Sequence, residues 1–134
     1  MDITTQIIWL FILAIPISCI SWTVTHEEIF KEPRDWCVEC SKNSKLLVTR
    51  KLFYLFTCEY CFSHYVTIFF IILCDYKLLL TDDWRGYLIA GFALVFVANV
   101  YMSLFGLLRQ AIKKEIVEIK KIEIEEEIIQ KEIK

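Results

Sequence analysis

Glycine and proline are scarce in this sequence, at three and two of 134 residues. A many-turned β fold needs such residues at its corners, so their scarcity excludes one and leaves a few long helices. Basic residues are absent before Lys31. The first apolar stretch therefore lacks the positive n-region of a secretory leader, and it also lacks a small-residue cleavage site, so it is expected to be a retained span. Missing too are a glycine-rich phosphate loop, a nucleophile elbow and a His-Glu-x-x-His helix, and no enzyme is expected. There is no large charge excess of either sign. The net charge of −2 argues neither for nor against nucleic acid, and no nucleic-acid partner is assigned.

Apolar residues are abundant, at 57% hydrophobic and 15% aromatic, with a positive mean hydropathy. A chain this small and this apolar has too little polar surface to stay solvated in water. The expected fold is an all-α membrane protein with three transmembrane helices. Two uncharged stretches of 23 residues, Ile3 to Thr25 and Gly86 to Leu108, each suffice for a hydrocarbon core of about 30 Å. Between them, Asp75 placed at one interface and a count back of about 19 residues puts the start of the remaining span near Phe56. The expected divisions are a first transmembrane helix at 1–25, a basic loop at 26–55, a second transmembrane helix at 56–74, an outer loop at 75–85, a third transmembrane helix at 86–108 and a helical tail at 109–134. Pro16 is expected to kink the first span, and Trp22 suits its interface.

Basic residues set the orientation. None precedes the first span, six lie in the first loop, two in the second and seven in the tail. The positive-inside rule then places the N-terminus outside and the first loop and C-terminus in the cytoplasm, here of a bacterial inner membrane. In the tail, alternating steps of three and four from Phe105 to Ile133 meet seven apolar residues in nine positions. That pattern predicts an amphipathic, coiled-coil-like helix and a homo-oligomer. The same helix can instead pack on its own membrane domain or lie on the lipid bilayer, and the alternation in "KIEIE" also permits a strand. Asn99, polar at membrane depth, is expected to hydrogen-bond between helices, with Gly91, Ala98 and Gly106 permitting close approach.

Cysteine carries the most specific signal. Cys37 and Cys40 form one Cys-x-x-Cys pair, Cys58 and Cys61 another, with 17 residues between the pairs. Two such pairs match the four-thiolate zinc pattern, here in a cytoplasmic four-cysteine loop. Lys42, Lys45, Arg50 and Lys51 lie between the pairs and offset the negative charge of such a centre. Thiols used only for packing and thiols used for redox chemistry are the alternatives. His64 is a substitute ligand or a locally bonded ring, and His26 is a weaker candidate. Cys19 and Cys74 are assigned no chemistry. Glu59 is the one tempting acid, but a closed tetrahedral site leaves it no water to activate.

At "WTVTHEEIFKEPRDWC" and "KLFYLFTCEYCFSHYVT" the chain resembles a group of small integral-membrane proteins of bacteria and their phages. The shared features are an acidic Ile-Phe segment with Pro-Arg-x-Trp after the first span and a Cys-x-x-Cys-x-Ser-His entering the second. The resemblance implies a membrane location and no particular activity. The expected function is a non-enzymatic scaffold or interaction partner with a structural zinc site, acting on lipid and on a cytoplasmic protein. A membrane thiol oxidoreductase and an oligomeric pore are the rival expectations.

Overall fold

The computed structural model describes residues 2–43, 46–80 and 82–132, without the side chains of Leu52 and Glu132; Lys45 of the basic loop and Ile133 of the tail seam lie outside it. Every element among the described residues is helical. In order they are α1 (Ile3–His26), a 3-10 turn (Glu28–Phe30), α2 (Lys31–Asn43), α3 (Leu47–Tyr54), a second 3-10 turn (Leu55–Thr57), α4 (Glu59–Cys74) and α5 (Arg85–Glu132). The chain divides into two units, Met1–Met102 and Ser103–Lys134.

Two helices, α1 and α5, are long and apolar enough to cross a membrane. α4 has 16 residues, about 24 Å at 1.5 Å per residue and short of a hydrocarbon core. Counted with Leu47–Thr57, from which it is bent by 90°, α4 brings the candidate spans by length and composition to three. The expected start of the second span near Phe56 falls at a break between helices. Phe56 lies in the 3-10 turn, and Cys58 breaks the helix with an extended backbone (φ −110°, ψ 108°) before α4 begins at Glu59. α1 continues through Pro16 as one helix. The expected division at 108/109 is not a break either, because α5 is uninterrupted through the tail. No glycine or proline follows Gly106, so nothing stops the helix, and "KIEIE" is helical with the rest.

The first unit has an apolar core that also takes in several polar side chains, and it carries large apolar side chains on its outside. On α1 the buried residues are Gln6, Leu13, Ala14, Ile17, Ser18, Ser21 and Thr25, a helical stripe that holds half of the helix's polar side chains. On α4 they are Ser63, Val66, Thr67 and Ile71. Large apolar residues such as Ile7, Ile8, Phe11, Phe69, Phe92 and Phe96 are exposed. Water disfavours so apolar an outside, whereas lipid tails solvate the outer apolar faces and leave hydroxyls to the interior.

Ala14, Ala90 and Ala98 are fully buried in the core with Leu13, Ile17, Val66 and Leu94. Small side chains of this kind let helix backbones approach. Asn99 donates to Ser63 Oγ across the α4–α5 contact at 3.1 Å and to Val95 O at 2.7 Å. A methyl group at Gly91 would make only ordinary contact with Ile71, at 3.5 Å. Close approach therefore rests on the alanines rather than on that glycine.

The connection from α4 to α5 is held by α1. Asp75 ends α4 in the left-handed region (φ 49°), which aspartate tolerates. Tyr76 Oη donates to Gln6 O at 2.7 Å, and Gln6 Oε1 accepts from Leu79 N at 2.8 Å. Burial pushes the Tyr76 hydroxyl above its ordinary pKa, so it keeps the proton this bond needs.

Candidate functional site

The loop-side ends of α1 and α4 gather both segments that carry the sequence motifs. α1 ends with carbonyls that have no partner inside the helix. Arg34 Nη1 donates to two of the carbonyls there, Val24 O at 3.1 Å and Glu27 O at 3.4 Å. Its positive charge also complements the negative helix end. This gives the arginine of the Pro-Arg-x-Trp segment a task. Trp36, two residues on, meets Phe53 edge-on at 5.8 Å and joins α2 to α3. Ser41 Oγ donates to Arg50 O at 3.0 Å and fastens the same pair of helices.

Trp22 and His26 stack at 4.0 Å with nearly parallel rings. Trp22 Nε1 donates to Glu27 Oε1 at 3.2 Å. Thr25 gives its hydroxyl proton to Ser21 O at 2.7 Å, and its Oγ1 lies 2.8 Å from His26 Nδ1. Nδ1 therefore carries the hydrogen of that contact. The other nitrogen, Nε2, faces Glu59 Oε2 at 3.6 Å from the first turn of α4. That oxygen is buried and accepts no hydrogen bond.

Each cysteine pair is local. Cys37 is buried in α2, and Cys40 is half-buried one turn later. Burial, and secondarily the neighbouring Cys40 sulfur, push the Cys37 thiol up, away from the thiolate that nucleophilic chemistry requires. Cys58 caps α4, with its Sγ accepting from Cys61 N at 3.4 Å. Residue types and spacing suit zinc, but the pairs do not gather. Among the described residues no group of three or more His, Cys, Asp or Glu side chains is disposed to hold a metal. His64 lies 2.8 Å from Tyr60 O through Nδ1, the locally bonded arrangement. Cys19 and Cys74 are exposed.

Between α4 and α5 lies a groove of about 550 Å³, lined in part by His64, Thr67, Ile71, Gly91, Phe92 and Val95. Thr67 Oγ1 and Ser21 Oγ are buried without hydrogen-bond partners. Gln6, Arg34 and Ser21 were not singled out as individual site residues by the sequence. A lone amide inside an apolar stretch, and a basic residue shortly after one, were the available signals for the first two.

No family model, no curated protein and no solved structure matches the chain.

Proposed function

We propose that this chain is a non-enzymatic inner-membrane scaffold of a bacterium or phage, crossing the bilayer three times with its N-terminus outside and its C-terminus in the cytoplasm. The observation that carries the membrane part is the apolar outside of the helices: Ser18, Ser21, Thr25, Ser63 and Thr67 are buried while many large apolar side chains face outward. The scaffold part rests on α5. Its 48 residues exceed the ~20 that a span requires, and the excess exposes Ile112, Ile119, Ile122, Ile128 and Ile129 along its length. Such a segment is suited to self-association or to a cytoplasmic protein partner. The bacterial or phage setting rests on the resemblance of the two motif segments.

A structural zinc ion held by Cys37, Cys40, Cys58 and Cys61 belongs to the same proposal. It is supported by the donor chemistry and the two-residue spacing, and the two pairs would have to close together to share one ion. Purified protein then contains about one zinc per chain, and replacing any one of the four with serine lowers metal content and thermal stability together. Metal-free protein of full stability sinks the zinc clamp without touching the scaffold. For the scaffold, the decisive measurement is alkaline carbonate extraction followed by sizing in detergent. Release from membranes, or a strict monomer that captures no partner, argues against it.

The thiol oxidoreductase is the second reading, because Cys58 and Cys61 lie together at the head of α4 with Cys58 Sγ accepting from Cys61 N, and no larger ligand group gathers around them among the described residues. The buried, proton-retaining Cys37 weighs against that role for the other pair. A reversible disulfide between Cys58 and Cys61 with no bound metal would favour it.

A further inference from the structure

Apart from the buried Cys37 the α2–α3 hairpin stays outside the main core cluster, and its Leu47–Thr57 stretch is bent by 90° from α4. If α4, at about 24 Å a short span that a locally thinned bilayer can accommodate, stands across the membrane on its own, a helix at right angles to it lies along the bilayer surface. α3 has the side chains for that position. Leu47 is 63% exposed, Val48 81% and Tyr54 61%, all without an intramolecular apolar shelter, and Leu46 beside them is 70% exposed. Arg50 and Lys51 are exposed on the same short helix, and Lys42 is exposed at the end of α2.

α2 carries exposed Glu32, Asp35 and Glu39, but the charge of the segment between the cysteine pairs is one-sided. From Cys40 to Cys58 the chain has four basic residues and no acidic one. Exposed apolar groups beside cations whose aliphatic stems can lie on the hydrocarbon boundary are the chemistry of an interfacial helix on an anionic leaflet. A protein partner of opposite charge would also answer the cations, but only the bilayer is already oriented by the α3–α4 bend.

We infer that the α2–α3 hairpin is an anionic-phospholipid-binding platform, with Leu47, Val48 and Tyr54 at the acyl boundary and Lys42, Arg50 and Lys51 on the phosphates. This rests on the membrane reading above and adds the headgroup class. Its test uses full-length protein carrying a photo-crosslinking benzoylphenylalanine at Val48 or, separately, at Phe92, which is exposed on the spanning part of α5. Each is reconstituted in phosphatidylcholine vesicles with and without phosphatidylglycerol.

The expected result is lipid adducts from both positions, with only those from Val48 rising several-fold when phosphatidylglycerol is present and falling back at high salt. Replacing Lys42, Arg50 and Lys51 together with glutamine should abolish that rise and leave the Phe92 adducts unchanged. Val48 adducts to protein, or a yield indifferent to phosphatidylglycerol, overturn the platform while Phe92 still reports a membrane protein. Absence of lipid adducts from Phe92 as well would instead overturn the membrane reading beneath it.

Discussion

Tyr76 and Gln6 illustrate how single polar side chains are handled in a chain whose surface is mostly apolar. Tyr76 is 4% exposed and donates to the backbone of Gln6, 70 residues away. Its pKa is raised in the folded protein, so the bond's stabilisation is fully present below the unfolded value near 10 and is lost as pH climbs through the folded one. Tyr76→Phe should therefore cost about 1 kcal/mol at neutral pH, a difference that shrinks as wild type is titrated towards pH ~11. Melting temperatures of the two proteins across that range check it: coincident curves would mean the hydroxyl contributes nothing, and a constant offset would contradict the pH dependence.

Asn99 and Ser63 form the comparable pair between α4 and α5. Hydrogen bonds of this type between spans couple by about 0.6 kcal/mol. A double-mutant cycle of Asn99→Leu and Ser63→Ala, read by reversible unfolding in mixed micelles, should return a coupling of that order. Strict additivity would show the contact to be idle.

At the scale of elements, the entry to α5 depends on a glycine. A Cβ on Gly86 would lie 2.1 Å from Leu80 O, a backbone atom that cannot rotate away. The same loop is tied by Leu78 N donating to Gly86 O and by Gln6 Oε1 on Leu79 N. Gly86→Ala should displace the 78–80 backbone and cost about 1–3 kcal/mol, and it should open the 75–85 connection to protease before the helices melt. An unchanged cleavage pattern and melting temperature would contradict this.

The second unit shows exposed apolar side chains rather than crowding. Ile119, Ile122 and Ile129 are all more than half exposed. Replacing the three with aspartate should reduce oligomer size in detergent and leave membrane insertion intact. If the size distribution is unchanged, any assembly lies in the spans, with the α4–α5 groove as the next surface to alter.

Orientation belongs to the whole molecule. In a variant with the exposed Cys19 and Cys74 replaced by serine, an impermeant thiol reagent applied to intact cells should label a cysteine at Asp82. It should not reach one at Asn43 or Gln130. The reverse pattern would put the basic hairpin outside and remove the cytoplasmic setting of the zinc and lipid proposals alike.

Much of this was legible from local pattern. Scarce glycine and proline, two uncharged stretches and the three-and-four spacing of the tail each describe neighbours in the chain, and local sequence is what sets helix and hydropathy. The helical state of α1 and α5 and the inward bond of Asn99 follow from them. The break at Cys58, the 90° turn of α3 and the hold of Gln6 on residues 76–79 do not. Nor does the separation of Cys37 and Cys40 from Cys58 and Cys61. Spacing shows which thiols can reach one ion within a pair; whether two pairs 17 residues apart meet depends on how α2 and α3 pack on the head of α4. That packing is set by contacts distant in sequence, among them Trp36 on Phe53 and Arg34 on the end of α1, and only the tertiary structure brings those residues together.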